Sequence, residues 1–333
     1  MKKLIIACSV LLLAGSVPVA YGWGVWGHNH INKGAVMALP KDMGMFFYNH
    51  ADFITEESTV PDIRKHLNND KAEKARHYID LERYGYNGRN GMPATMAAAV
   101  AKYGKDTLEL YGDLPWAIQD MMAKLTDAFK NKRKTEILYL AADLGHYVGD
   151  AYMPLHTSIN HDGQETNQLG IHAFWESQLP ELFGKDYKLY VGSVKYIDNI
   201  DKTVWDVIDS SHSKVYTLLR IEARLKKDNP MDKQYVLGAD GGPVKNKFGQ
   251  PIHTFEYAHI YHELLDGMVE KQMRAAIKMT ADLWYTAWVN AGKPDLSTLD
   301  PDYVTDRNKA AYKEDLKAWK LGKVRGFKSD KEF

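Results

Sequence analysis

The sequence GHYVGDAYMPLHTS, residues 145–158, contains three side chains that commonly bind metals. His146 and Asp150 are four residues apart, a spacing that puts both side chains on one face of an α-helix. Pro154 cannot donate a main-chain hydrogen bond, so we expect this helix to end about two residues before it. His156 would then lie just beyond the end of the helix.

A second pair of candidate ligands follows after a polar loop. In GIHAFWES, residues 170–177, His172 and Glu176 are again four residues apart. One such pair would be weak evidence, because a histidine on a helix is more often a hydrogen-bonded core or surface residue. Two pairs with a third histidine between them favour a metal site.

Most of the chain after residue 23 has apolar residues at helical spacing, which predicts an all-α fold. The 333 residues fit one large domain or two smaller ones. We expect a single helical domain over 23–300, with helices over 30–39, 41–52, 61–67, 94–103, 115–130, 134–151, 201–227 and 254–291.

Four stretches depart from the helical pattern. The Gly/Asn-rich residues 83–93 and the polar residues 238–251 predict exposed loops. The segment KLYVGSVKYI, residues 188–197, is the best candidate for a short strand or hairpin, although Gly192 weakens it. Residues 301–333 are rich in lysine with few apolar positions, which predicts a solvated, partly frayed tail.

Residues 1–22 have the pattern of a secretory signal peptide. Two lysines precede a short apolar run and then small residues, which predicts cleavage before Trp23 and a periplasmic or secreted protein without integral membrane segments. The only cysteine, Cys8, lies in this segment, so the exported protein has no disulfides. Lipid attachment at Cys8 is a minor alternative, because few apolar residues precede it.

The charge balance limits the classes of partner. The chain has 43 basic and 43 acidic residues, and removal of residues 1–22 takes away Lys2 and Lys3 and no acid. The resulting balance of 41 to 43 argues against a broad basic surface for duplex nucleic acid.

Three further motifs precede the ligand pairs: WGVWGH at residues 23–28, VPDIRK at 60–65 and RHYID at 76–80. The mature chain has no thiols, so any zinc must be held by imidazole and carboxylate groups. Such ligands are typical of hydrolytic zinc sites with open coordination positions.

These motifs together resemble the superfamily of zinc-dependent phospholipases C and single-strand-specific nucleases. The resemblance runs from Trp23 to about Glu176 and implies a mostly helical domain that binds three zinc ions. The implied ligands are Asp62, His77, His146 and Asp150 for one zinc, Trp23 (through its amino group and carbonyl), His28 and Asp150 for a close neighbour, and His156, His172 and Glu176 for the third. Asp52 competes with Asp62, but the motif around Asp62 matches the family.

The resemblance also implies the chemistry. Two zincs that share Asp150 would lower the pKa of a bound water, giving a hydroxide for in-line attack on phosphorus, and the third zinc would stabilise the leaving oxygen. The candidate catalytic residues are Asp62 as a ligand and Arg64 or Lys65 as a clamp on the phosphoryl oxygens. Each cation taken singly is as easily explained as a surface residue of a short helix.

The two enzyme branches differ in what surrounds the metals. On the nuclease side, Tyr78 resembles a stacking platform for a base and Asp80 a hydrogen-bond acceptor. On the phospholipase side, the loop before His172 is short, Glu176 stands where nucleases usually have Asp, and Met153 replaces an expected Gln. The N-terminal WGxxGH motif favours the nuclease branch.

The resulting hypothesis is a monomeric, exported phosphodiesterase. Its substrates would be single-stranded RNA or DNA, or 3′-nucleotides, and its products would carry 5′-phosphates. The alternatives are a phospholipase C that acts on phospholipids, and a helical binding protein whose zincs only stabilise the fold.

Overall fold

A computed structural model describes residues 23–67, 70–88, 91–246, 249–300 and 305–325. The described chain is mostly helical, which confirms the all-α prediction. Its helices are α1 (Gly24–Ala38), α2 (Lys41–Asn49), α3 (Ala51–Glu57), α4 (Val60–Leu67), α5 (Lys71–Ala75), α6 (Met96–Tyr103), α7 (Lys105–Tyr111), α8 (Leu114–Lys130), α9 (Lys134–Ala151), α10 (Ile171–Ala173), α11 (Leu179–Phe183), α12 (Ile200–Asp228), α13 (Met231–Gln234), α14 (Phe255–Leu264), α15 (Met268–Asn290) and α16 (Asp306–Lys320).

Short helical turns complete the fold. The 3₁₀ turns are Leu81–Tyr84, Pro154–Thr157, Gly184–Asp186 and Leu296–Leu299, and a π-helix covers Phe174–Gln178. None of the helices in the described ranges is long and apolar enough to cross a membrane.

Helices α1, α8, α9 and α15 pack together through buried apolar faces and form the centre of the molecule. Glycines allow two pairs of these helices to approach each other closely. Gly34 of α1 lies against Ile277 of α15, and a Cβ on Gly145 of α9 would lie 1.9 Å from Asn32 Oδ1 of α1. The Asn32 amide donates to the Ala142 carbonyl at 3.0 Å. The approach of α1 to α9 matters because both helices carry candidate ligands.

Two of the predicted helices are interrupted. The helix expected over 41–52 breaks at His50 into α2 and α3. The helix expected over 254–291 breaks between α14 and α15, where Asp266 and Gly267 adopt the left-handed backbone conformation with φ of 49° and 67°. An apolar pattern continues across both breaks, so periodicity alone did not locate them.

The prediction of a strand over 188–197 is wrong. The segment is extended, but its amides bind side chains of α15 in place of a neighbouring strand: Lys195 N donates to Asp282 Oδ1 at 2.7 Å and Ile197 N to Thr286 Oγ1 at 3.0 Å. Gly192, with φ of 78°, interrupts the segment. The apolar residues of this segment pack against the helical core.

The loop predicted at 238–251 forms a small excursion between α13 and α14. Three isolated antiparallel bridges hold it, Tyr235 to His253, Leu237 to Pro243 and Lys245 to Pro251. Gln178 ties its base to the π-helix, because its side chain donates to the Pro251 carbonyl at 2.9 Å and accepts from His253 N at 3.1 Å.

The expectation of a solvated tail over 301–333 is wrong for residues 305–325. This part forms α16, which packs against α2: the rings of Tyr312 and Tyr48 lie 4.7 Å apart, and Tyr48 Oη donates to Asp315 at 2.7 Å. Trp319 is buried. A few large residues therefore anchor a mostly charged helix. The predicted signal peptide, residues 1–22, lies outside the described residues.

Candidate metal centre

Three groups of buried His, Asp and Glu side chains converge in the described chain, and each group could hold a metal ion. Within each group the ligand atoms lie within 4.8 Å of one another. The groups are His28, His146 and Asp150; Asp62, His77 and His146; and His156, His172 and Glu176. The structure thus brings together every predicted side-chain ligand, drawn from positions as distant as 28 and 176.

Helix α9 supplies the shared ligands. His146 and Asp150 lie on the same face of the helix, as their spacing predicted, and both are fully buried. The helix ends at Ala151, in agreement with the break expected before Pro154. The 3₁₀ turn that Pro154 begins then carries His156 back towards the site.

Asp150 lies at the centre of the site with its two oxygens facing different partners. Oδ1 is 3.5 Å from His28 Nε2, while Oδ2 is 3.0 Å from His77 Nδ1 and 3.2 Å from His146 Nε2. Burial alone raises the pKa of Asp150, but the surrounding histidines, His146 and His156 foremost, hold it well below its usual range. A carboxylate in this position can bridge two cations.

A main-chain carbonyl determines which nitrogen of His146 carries the proton. Its Nδ1 lies 2.7 Å from the Ser58 carbonyl, and because a carbonyl only accepts, this nitrogen carries the proton. Nε2 therefore presents its lone pair to the site, where it faces His77 Nδ1 at 3.0 Å. Asp62 Oδ1 lies 3.6 Å from the same His77 nitrogen.

The third group shows the same arrangement. His156 Nδ1 lies 2.5 Å from the His77 carbonyl, and His172 Nδ1 lies 2.7 Å from the His161 carbonyl. Both Nε2 lone pairs then point at each other across 3.1 Å, with Glu176 Oε1 3.1 Å from His172 Nε2. The π-helix that carries Glu176 is a feature often found at functional sites.

These donor sets fit metal ions. Two facing imidazole lone pairs repel one another unless a cation or proton lies between them, and outer hydrogen bonds of this kind are characteristic of metal-binding histidines. Among the described residues, both nitrogens of His28, Asp150 Oδ1 and both carboxylate oxygens of Glu176 are buried without a hydrogen-bond partner. Bound cations would satisfy these atoms.

Trp23 lies beside the site, fully buried at the start of α1. Its indole Nε1 donates to the Gly149 carbonyl at 2.6 Å, and its ring packs 5.1 Å from that of Trp175. Its own carbonyl accepts from Gly27 N at 3.0 Å. The indole therefore holds α1 against the end of α9. Metal binding by the amino group and carbonyl of Trp23 stays a prediction.

The two candidate clamp residues differ in their surroundings. The side chain of Lys65 is 9% exposed, and its Nζ lies 2.5 Å from Asp62 Oδ1. Burial alone lowers the pKa of Lys65, but Asp62 and Asp150 raise it overall, so the ammonium stays charged. Arg64 instead donates to Asp143 at 2.6 Å and is 3.4 Å from Glu73. Lys65 thus contacts a candidate ligand, whereas Arg64 contacts carboxylates behind the site.

Tyr78 and Asp80, the predicted substrate-binding residues, follow His77 directly. Tyr78 is partly exposed and its hydroxyl donates to the Leu110 carbonyl at 2.9 Å, which fixes its ring. Asp80 is 9% exposed, and burial raises the pKa of its carboxyl to about 6. The nearest acids, Glu82 and Glu165, act in the same direction.

Glu73, which no sequence motif indicated, lies behind His77. Its carboxylate accepts from Tyr147 Oη at 2.5 Å and from Arg76 at 2.9 Å, and Oε1 is 3.8 Å from His77 Nε2. Burial raises the pKa of Glu73, but His77, Tyr147 and Arg64 lower it to about 2. The spacing of four from His77 was the only signal, and α5 ends between the two residues.

Asp52, the alternative to Asp62, lies away from the site: its side chain is 71% exposed and 3.7 Å from Lys33. Asp62 is 1% exposed and belongs to a ligand group. The fold and site together define a mostly helical protein with three adjoining groups of candidate metal ligands. Comparison of the chain with protein-family models and with curated proteins found no match.

Proposed function

We propose that this protein is a zinc-dependent phosphodiesterase that cleaves single-stranded nucleic acid or 3′-nucleotides, of the nuclease and phospholipase C type that its motifs resemble. The observation that carries the proposal is the position of Asp150 between His28 on one oxygen and His77 and His146 on the other. Two neighbouring metals with a third close by are suited to in-line displacement at phosphorus. Zinc is proposed because the ligands are imidazoles and carboxylates.

Zinc bound in these groups would supply Lewis acidity, lowering the pKa of water and polarising a phosphoryl group. The protein's own contribution is to fix the ligands. The Ser58, His77 and His161 carbonyls hold the imidazoles with their lone pairs directed inwards. Little reorganisation would then be needed when metal and substrate bind.

Lys65 is the residue proposed to contact the phosphoryl oxygens. Its ammonium lies beside Asp62 and stays charged, so it can donate to a non-bridging oxygen and offset charge that develops during the reaction. Arg64 is proposed to act indirectly, because its guanidinium neutralises Glu73 and Asp143 behind the ligands.

The preference for a nucleic acid rests on Tyr78 and Asp80. A fixed, partly exposed tyrosine ring next to a ligand can stack on a base, an interaction that contributes roughly 1 to 3 kcal/mol. The Asp80 side chain does not cap the 3₁₀ turn that follows it, so within the described chain its carboxyl is available to a base edge. With a pKa near 6 it can accept or, when protonated, donate.

A substrate panel tests the proposal. The mature protein, loaded with zinc, would be assayed on single-stranded RNA, single-stranded DNA, a 3′-nucleotide and phosphatidylcholine. We expect cleavage of the single-stranded polymers to products with 5′-phosphates. Lys65→Met should lower kcat by two or more orders of magnitude if it contacts the phosphoryl group, whereas Asp52→Ala should be unchanged.

Two results would contradict the proposal. Release of phosphocholine from phosphatidylcholine without cleavage of nucleic acid would establish the phospholipase alternative. Stoichiometric zinc without hydrolysis of any substrate would establish a binding protein whose metals stabilise the fold.

A further inference from the structure

Helix α12 presents a basic and aromatic stripe that begins next to the third ligand group. His212, Tyr216, Arg220, Arg224 and Lys227 lie along one side of the helix, three or four residues apart. The distance from the first to the last is about 22 Å, from the rise of an α-helix.

The stripe is connected to the metal centre through Thr157. The 3₁₀ turn that carries His156 packs against α12, and His212 Nδ1 lies 3.1 Å from the carbonyl of Thr157, the next residue after that ligand. A bound polymer that runs from the third ligand group past His212 along α12 would reach Tyr216 within about one turn of the helix.

Basic residues outnumber acidic residues in this part of α12. Residues 210–227 contain five basic residues and one acid, Glu222. Glu222 is buried and accepts from Tyr257 and Gln168, so it does not face solvent. Arg220 and Arg224 are exposed, and neither takes part in a salt bridge with another described residue. The stripe therefore attracts anions.

Tyr216 is 72% exposed, unusually high for a large aromatic residue, and the Arg220 guanidinium lies 5.6 Å from the centre of its ring. The ring and the planar guanidinium both offer flat faces on which bases stack, and the cations beyond them match a phosphate backbone. A lipid surface would instead require several apolar side chains to insert, and Tyr216 is the only exposed large hydrophobic residue of α12, a helix that the structure describes throughout.

We propose that the α12 stripe is a binding track for a single strand of nucleic acid, which guides the polymer on the side of the third ligand group. This proposal specifies the substrate class of the proposed function, and it rests on that function. The track explains how a protein with almost balanced charge can bind a polyanion, because positive charge is concentrated where the nucleic acid would lie. It also predicts that long strands are preferred to dinucleotides.

Binding would be measured by fluorescence anisotropy of a phosphorothioate single strand of about twenty nucleotides, which resists hydrolysis, on the zinc-loaded protein. The double variant Arg220→Ala with Arg224→Ala should bind about tenfold more weakly, and the slope of log K against log salt should fall by about 1.4. Tyr216→Ala should weaken binding roughly tenfold, while Tyr216→Phe should keep it.

Matched controls separate the stripe from general effects. Lys313→Ala with Lys320→Ala removes two exposed cations from α16, and Tyr196→Ala removes an exposed tyrosine elsewhere. Both should bind the strand as the unaltered protein does. If the stripe variants and these controls lost affinity for the strand equally, the proposed track would be wrong.

Kinetics separate the track from the proposed function. If both hold, stripe variants raise KM for the long strand several-fold and leave the hydrolysis of a dinucleotide unchanged. If the unaltered protein hydrolyses neither, the proposed function fails, and anisotropy alone then decides on the track. Stripe variants that lose affinity for vesicles of phosphatidylglycerol but keep it for the strand would overturn the track in favour of an anionic lipid surface.

Discussion

At the scale of single residues, the site depends most on Asp150, because its two oxygens face different groups of ligands. Glu176 belongs to one group only. Asp150 Oδ1 and both oxygens of Glu176 lack hydrogen-bond partners among the described residues, and bound cations would satisfy them. The two carboxylates should therefore differ in how many metals their removal affects.

We expect Asp150→Ala to disturb two metals and Glu176→Ala chiefly one. Zinc content measured by mass spectrometry on dialysed protein would show the difference, with Asp52→Ala as a control that loses none. Equal zinc loss in the two ligand variants would show that Asp150 does not bridge.

Asp113, immediately before α8, makes a separate residue-scale prediction. Burial raises the pKa of its carboxyl to about 7, and Oδ1 has no hydrogen-bond partner within the described chain. The ordinary value is about 4, so the folded state retains the proton longer than the unfolded state. The stability that this provides is complete below about pH 4 and is lost as the pH rises towards 7.

Asp113→Asn should consequently raise the melting temperature at pH 8 relative to the unaltered protein by a few degrees, and should have little effect at pH 4. Thermal unfolding by circular dichroism across this range measures the difference. A gain that is equal at both pH values would argue against an ionisation effect.

At the scale of elements, the site forms where α1 approaches α9 closely, and Gly145 permits the approach. Alanine there would place a Cβ 1.9 Å from Asn32 Oδ1, so either the Asn32 side chain would have to leave its hydrogen bond to Ala142 or the helices would have to move apart. We expect Gly145→Ala to destabilise the fold by about 1 to 3 kcal/mol and to weaken zinc binding through His28.

Denaturant unfolding and zinc competition with a chromophoric chelator would measure both effects. Gly91→Ala is the matched control, because a Cβ there meets no atom within 4 Å. If Gly145→Ala unfolds like the control, the helices have more freedom than the structure indicates.

Sequence reasoning predicted α9 well, because Pro154 and the spacing of His146 and Asp150 are local signals. It could place His28, Asp62 and His77 in one site only through the resemblance to a family, since no local pattern brings α1, α4 and α9 together. The false strand at 188–197 has a similar cause: a short apolar segment indicates burial, but not whether a helix or a strand covers it.

At the scale of the whole molecule, the three groups lie between helices from distant parts of the chain, so metals would act as cross-links of the fold. We expect a chelator to lower the melting temperature by on the order of 10 °C, because ligand binding stabilises only the folded state. Differential scanning calorimetry would measure the change. Zinc should restore the original value and magnesium should not, and an unchanged melting temperature would contradict structural coupling.

The burial of Trp23 bears on when such an enzyme would become active. Trp23 is fully buried, and its indole donates to the carbonyl of Gly149, the residue before Asp150. If the leader predicted over residues 1–22 were retained, the nitrogen of Trp23 would stay in a peptide bond and could not bind zinc as proposed, so the precursor would be latent. We expect a protein with one extra residue before Trp23 to bind less zinc and lose most of its activity; full zinc content and undiminished turnover would show that the precursor is already competent. For the proposed nuclease, latency of this kind would protect the nucleic acids of the cell that makes it.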